Sequence, residues 1–411
     1  MELDQRCLRE CEAGLATETI ERIDAAAEAV VAAKQRGGKV AVVTGSGPNI
    51  HEGVTTLVAE LMRVGIVDGV STSSAVVAHE LGGVLDRVKR MDGASVGIDP
   101  HLLPHGGYFE QTVLSPDMLD MVRARIPFDE DLWEKLSATP GAVIIKAAGN
   151  LGYPMGLYIE LLARDIQALA QQSGKSFEEI AGLGADPRTM LGTGAARGLP
   201  VIVTIPQLVG GGAVGLAVGD SISITERGER LAAMLDAADV IIESAVALTQ
   251  EIHDGPFETY TGHGLWAHWA GHKAFSLRGK TLIRLDLDPA LETVWQAERG
   301  SASVQGAIDK GLPKTKLFKT PFRMEMSGFA RLEGSLPVTA DIGTAWPLLT
   351  SRIAERLGVT LEFMSYPQQT TAGKAMREWM VDEIQPVDAE RLAVHGAGTR
   401  KKDKASATPR R

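Results

Sequence analysis

The sequence predicts an α/β fold: a Rossmann-like, mostly parallel, doubly wound sheet with helices on both faces. Three observations carry that expectation. Short apolar runs such as Val40–Val43, Leu199–Pro206 and Asp239–Ala245 have the continuous hydrophobicity of strands buried on both faces. Amphipathic stretches separate them, as in Val54–Val64, where Val54, Leu57, Val58, Leu61 and Met62 recur at helical spacing. Glycines and small polar residues follow the runs, at the carboxyl edge where open α/β sheets bind ligands.

Taken in order, residues 17–36 read as an Ala/Glu-rich amphipathic helix ahead of the first strand. After it come the strand Val40–Val43, the helix Val54–Val64 and a strand at Ile66–Val70. Ala75–Arg90 reads as a helix carrying His79 and Glu80, and Gly97–Pro127 as irregular chain. Gly141–Ala147 reads as a strand and Met155–Ser173 as a long helix. Ser176 and Glu179 have the spacing of a capping box at the next helix start. Beyond the strand Leu199–Pro206, Gly210–Gly212 and Gly215–Gly219 read as a glycine-dense loop ending at Asp220. The helix Glu226–Ala237 and the strands Asp239–Ala245 and Leu282–Leu287 complete the regular part, and the pattern weakens after about residue 300.

The expected organisation is an N-terminal helical segment (1–37), an α/β domain (38–300), a C-terminal extension packed on that domain (301–395) and a disordered basic tail (396–411). The tail holds the only basic concentration, Arg400-Lys401-Lys402 to Arg410-Arg411. A net charge of -10 argues against a nucleic-acid partner. Cys7 and Cys11 are the only cysteines, too few for a disulfide framework or a thiolate zinc site, so a reducing, cytoplasmic compartment is expected. No signal peptide or membrane-spanning run is visible, so no membrane partner is expected.

Four constellations have chemical potential. The loops Thr44–His51 and Ser71–Ser74 follow neighbouring strands, and their amides and hydroxyls suit a pyrophosphate or a ribose. Tight turns alone would also use these residues. The stretch Pro206–Asp220 has enough glycine for close backbone approach to a ligand, or for loop motion. Thr249–Lys273 packs His253, His263, His268, His272, Asp254, Glu258, Trp266, Trp269 and Lys273 together. His268 and His272 lie at i,i+4, but the span lacks an HExxH pattern, so no metal ligand is assigned. Apolar walls around Lys273 would lower the pKa of its amine and favour imine formation, although a surface lysine on a Trp-bearing helix is the plainer alternative. At the end of the last strand, Asp286 or Asp288 suits ribose hydroxyls; Asp288 also suits a helix N-cap ahead of Pro289.

In order and pattern these segments resemble the deoxyhypusine synthase superfamily, including the NAD-dependent ornithine cyclodeaminase domain of the lysine-oxoglutarate reductase/saccharopine dehydrogenase-like family. GSGPNIHEG followed by LVAELMRVGIVDGVSTSSAVVAHE resembles the family's paired small-residue loops. The resemblance implies NAD contacts at Gly45, Ser46, Asn49, Thr72, Ser73 and Ser74, with His79 or Glu80 near the acidic cofactor ligand. The glycine-rich PQLVGGGAVGLAVGD implies a contact at Asp220, and LTQEIHDG implies contacts at Thr249, Gln250 and Asp254. WAGHK resembles the family's imine-forming lysine segment, which points to Lys273, and LIRLDLDPAL points to Asp286 or Asp288.

The implied function is an NAD-dependent lyase or transferase acting on an amine or amino acid through an imine, by deamination and cyclisation or by aminoalkyl transfer. Lys273 would be the nucleophile, His79 or His263 would move protons, as would His51, and Glu258 or Asp254 would hold the substrate ammonium. A homo-oligomer is expected from the same resemblance. The readings from other classes are a metal-dependent hydrolase or lyase using the His-rich segment 253–272, and a non-catalytic nucleotide-binding regulator.

Overall fold

The computed structural model describes residues 4–45, 47–103, 106–149, 152–203, 208–245, 277–286, 306–307, 309–312 and 334–394. The helices α1 (Gln5–Ala13) and α2 (Thr17–Gln35) precede β1 (Val40–Thr44). After β1 come α3 (Gly47–His51), α4 (Val54–Arg63), β2 (Gly69–Thr72) and α5 (Ser74–Leu81). The chain then builds β3 (Leu85–Asp92), β4 (Tyr108–Thr112), α6 (Pro116–Arg125), α7 (Glu130–Ala138) and β5 (Ala142–Ala147). It returns through α8 (Met155–Ser173), α9 (Phe177–Gly184) and α10 (Met190–Arg197) to β6 (Val201–Val203). The remaining elements are α11 (Ala213–Gly219), α12 (Ile224–Ala237), β7 (Val240–Ser244), β8 (Thr281–Asp286), β9 (Ser335–Thr339), α13 (Ile342–Leu357) and α14 (Thr371–Glu383).

Six strands form one sheet in the order β6-β2-β1-β7-β8-β9, and every neighbouring pair is parallel. Counted along the chain within this sheet, the order is 3-2-1-4-5-6, the order of dinucleotide-binding doubly wound sheets. The predicted α/β class is therefore what the chain adopts. Alternate residues of each strand feed opposite layers. Val40, Val42, Val240, Ile242 and Ile283 pack in one core with Ile23, Leu57 and Trp346 from α2, α4 and α13. Ala41, Val43, Ile241 and Leu282 face Leu231, Ala232 and Leu235 of α12 on the other side. Burial on both faces is why these strands read as unbroken apolar runs.

Between β2 and β6 the chain leaves this sheet and forms a second, antiparallel one in the order β4-β3-β5. Here two expectations are corrected, and a third, the strand at Gly141–Ala147, is met. Ala75–Arg90 is not one helix: α5 stops at Leu81, and Gly83 and Val84 turn the chain at φ 95 and φ 70 into β3. Leu85, Val88 and Met91 are buried at three-residue spacing, which imitates a helical face. Gly97–Pro127 contains β4 and α6, the latter capped by Ser115 with Pro116 in its first turn. Gly141–Ala147 does form a strand, but in the antiparallel sheet with its first residues exposed.

Two further corrections come from the second half. The stretch expected as a glycine-dense loop forms α11, whose Val214, Ala217 and Val218 are buried. Gly215 suits this helix because a Cβ there would sit 1.9 Å from the Leu208 carbonyl oxygen. The region past residue 300 supplies β9, the sixth strand of the main sheet, and α13, which packs on α2. Among the described residues no helix is long and apolar enough to cross a membrane. The tail 396–411 lies outside the described residues.

Candidate functional site

The strand order reverses direction between β1 and β7, and open α/β sheets bind ligands outside the carboxyl ends of the strands at such a switch point. Thr44 and Gly45 end β1 there, and Ser244 and Ala245 end β7. Asn49 of α3 bridges the two. Its amide nitrogen donates to the Ser244 carbonyl oxygen at 3.4 Å, and its side-chain oxygen accepts from the Ser244 hydroxyl at 2.5 Å. The Trp346 indole N–H donates to the Ser244 Oγ at 2.8 Å, tying α13 to the same point. Asn49 thus holds the β1 loop against β7, with its side chain engaged by protein. Ala245 has φ 84, a left-handed conformation that a side chain disfavours by about 1–2 kcal/mol. Ser244 and Trp346 were not singled out from sequence, although Ser244 follows its strand in the same way as Thr44 and Thr72.

The second lip is the end of β2. Ser73 caps α5 by accepting from the Val76 N–H at 3.2 Å. The Ser74 hydroxyl donates to the Leu208 carbonyl at 2.6 Å and accepts from the Gly211 N–H at 2.9 Å, which pins the glycine-rich segment to this edge. Thr44 Oγ1, Ser71 Oγ and Thr72 Oγ1 are buried without a hydrogen-bond partner among the described residues. A Cβ added to Gly47 would meet no described atom within 4 Å. Orphan hydroxyls and open space beside a glycine are the features a polar ligand would satisfy, so the residues present fit a nucleotide.

The sequence-derived residues fall into three groups. Gly45, Asn49, Thr72, Ser73 and Ser74 come together at this edge, and His79 lies on α5 beside it. Glu80 and Asp220 have other surroundings. Glu80 is fully buried, and its two oxygens accept from the Met190 and Leu191 N–H groups at 2.9 and 3.0 Å, capping α10. Burial pushes its carboxyl up to about 7, against the pull of those two amides. Asp220 is exposed at the far end of α11, where its backbone carbonyl accepts from Gln171. The third group lies outside the described residues: Ser46, Thr249, Gln250, Asp254, Glu258, His263, Lys273 and Asp288. Asp286 ends β8 beside Thr339 of β9, and its side chain is likewise outside the description. Among the described residues no group of three or more His, Cys, Asp or Glu is placed to hold a metal.

Two histidines stand between the main sheet and the small one. His79 Nδ1 lies 2.5 Å from the Ala148 carbonyl oxygen, which can only accept. Nδ1 therefore carries the proton, and Nε2 keeps its lone pair. Burial lowers the pKa of His79. His51 has the opposite tautomer. Its Nδ1 lies 3.4 Å from an Arg377 nitrogen, which can only donate, so Nε2 carries the proton. Burial, then the charges of Arg377, His79 and Lys146, lower His51 to about 4. Lys146 itself is paired with Glu110 at 2.7 Å. At neutral pH the pair offers one basic and one donating imidazole nitrogen.

No family model and no curated protein matches the chain. Solved structures similar to it include AgrE in a ternary complex with ornithine and NAD+, at 14% identity and TM-score 0.41, covering 83% of this chain and 34% of AgrE. A conserved LOR/SDH protein from Methanococcus maripaludis is 14% identical with TM-score 0.40, covering 84% of this chain and 70% of that one. ArgZ, an arginine dihydrolase of the ornithine–ammonia cycle in cyanobacteria, is 14% identical with TM-score 0.38, covering 83% of this chain and 32% of its own. The chain spans about a third of the length of AgrE and ArgZ. Likeness at this level says nothing of chemistry.

Proposed function

We propose that the chain is an NAD-dependent enzyme acting on an amine or amino acid through an imine. The observation that carries the cofactor reading is the 3-2-1-4-5-6 strand order, with Gly45 and, among the described residues, an unpartnered Thr44 hydroxyl at its switch point; the amine chemistry follows the sequence resemblance. When bound, NAD would supply a hydride acceptor for the carbon that bears nitrogen. The Gly45–Gly47 turn would let the backbone approach the pyrophosphate closely, and Thr44 and Thr72 would donate hydroxyl hydrogen bonds. His79 would take a proton from the substrate ammonium at Nε2, because its other nitrogen is committed to Ala148. Lys273, His263 and Glu258 remain candidates for imine formation, proton transfer and ammonium binding.

The test uses the space beside Gly47. A side chain there meets no described atom, so Gly47→Val is expected to fold and to block the crevice. Calorimetric titration of NAD into the full chain should then show at least about a tenfold loss of affinity. A wild-type chain without measurable NAD binding, or a Gly47→Val chain that binds as tightly, would move the site or remove the cofactor.

A further inference from the structure

The proposed reaction leaves amine and amino-acid substrates open. We infer that the substrate carries a carboxylate, that Arg377 anchors it, and that His51 donates a second hydrogen bond to it. This inference rests on the reading of the switch-point crevice as an enzyme site.

Arg377 reaches from α14 to the gap between the β1–α3 turn and β5. One nitrogen donates to the Ile145 carbonyl oxygen at 2.6 Å and faces His51 Nδ1 at 3.4 Å. The other terminal nitrogen donates to the Gln368 side-chain oxygen at 3.3 Å. All three partners are neutral. Among the described residues Arg377 forms no ion pair, and its Nε is buried without a partner. Glu52 and Glu378 attract it only from beyond ion-pair distance. The Glu52 carboxylate already accepts from the Gln368 N–H at 2.8 Å.

A half-buried guanidinium without an ion-pair partner is unfavourable, and burial lowers its pKa against the more distant pull of Glu52 and Glu378. Other arginines of this chain show the usual solution. Arg227 is buried against Glu178, and Arg188 pairs with Asp186 and Glu383. Lys146, the neighbouring cation, has an ion-pair partner in Glu110, which it shares with Arg90. Among the described residues, the cation of this gap without an ion-pair partner is therefore Arg377. A carboxylate matches it in charge and in fork geometry. The short bond to Ile145 holds the guanidinium in place. The two longer contacts are the weak ones, which an arriving carboxylate would replace or supplement.

His51 adds a donor of the right kind. Arg377 fixes its tautomer, so Nε2 carries a proton, and that N–H has no partner among the described residues. One anion can therefore accept from a cation and a neutral N–H beside the β1 turn, while His79 Nε2 offers a base for the amine. An α-amino acid carries both groups on one carbon.

The experiment compares probes that differ only by the carboxylate, titrated into the full chain in the presence of NAD: L-ornithine against 1,4-diaminobutane, L-lysine against 1,5-diaminopentane, and L-arginine against agmatine. At least one amino acid should bind the wild type about tenfold or more tightly than its decarboxylated partner. Arg377→Gln should erase that preference, Arg377→Lys should retain part of it, and His51→Gln should reduce it less. A preference that survives in Arg377→Gln, equal binding of both members of every pair, or no binding of any probe would overturn the inference. Should Arg377→Gln fail to fold, an undiminished preference in Arg377→Lys and His51→Gln together would do so. NAD titrations alongside keep the two readings apart. Intact NAD binding without discrimination removes the anchor alone, whereas absent NAD binding removes the cofactor reading.

Discussion

In the six-stranded sheet, β1 and β7 are buried at all five positions, whereas β5 of the three-stranded sheet exposes Ala142, Val143 and Ile144. The first sheet is sandwiched between helices, so most of its residues are apolar, with Glu243 and Arg284 buried as charged exceptions, and polar residues gather at the carboxyl ends. The second is half covered, so Arg90, Glu110 and Lys146 stand on its strands as ion pairs. The crevice draws on both. Hydroxyls and glycines come from the parallel edge, and charges and imidazoles gather where the antiparallel sheet meets α3 and α14.

The comparison breaks most severely at the link between the sheets. Glu178 and Arg227 form a fully buried ion pair, and Glu178 also accepts from the Val203 N–H at 2.8 Å where β6 ends. Glu178→Ala leaves Arg227 uncompensated and should cost about 3–5 kcal/mol by urea denaturation. A loss under about 1 kcal/mol would mean that water reaches this pair.

The same residue type in the two sheets sharpens the contrast directly. Ile242 of β7 is 2% exposed and Ile144 of β5 is 36% exposed. Ile242→Ala should cost about 2–5 kcal/mol, and Ile144→Ala about 0.5 kcal/mol or less. Similar losses in both variants would show that the outer face of the small sheet is covered in solution.

A smaller effect reads the joint between α5 and α10. Burial raises the Glu80 carboxyl from 4.5 to about 7, so between those values the folded chain binds more protons than the unfolded one. The stability this residue contributes is complete below about pH 4.5 and is lost as pH rises through about 7. Glu80→Gln has no proton to lose, so its stability relative to wild type should climb from pH 5 to pH 8, by at most about 1.4 kcal/mol per pH unit. A gap between the two proteins that stays constant with pH would place the Glu80 titration outside this window.

The small sheet was also the part least legible in the sequence. β3 has buried residues at Leu85, Val88 and Met91, a spacing shared with an amphipathic helix, and only the Gly82–Gly83–Val84 turn separates it from α5. α11 was hidden by glycines that elsewhere mark loops. Gly215 is there because the Leu208 carbonyl leaves no room for a Cβ. At the site, Thr72, Ser73 and Ser74 were legible because small polar residues directly follow an apolar strand. Arg377 was not, because it lies 326 positions after its partner His51, in a region whose pattern had weakened.

The sequence by itself determined the alternation of apolar strands and amphipathic helices, and with it the parallel α/β class, because burial on two faces requires unbroken apolar runs. It also marked where those strands end, since backbone and hydroxyl groups leaving a core need small polar residues and turns. Tertiary structure alone decided the strand order, the antiparallel insertion and the partners of Asn49, Glu80, His51 and Arg377. These depend on contacts between positions far apart in the chain. Periodicity records whether a residue faces a core, but it carries no information about which distant group lies there.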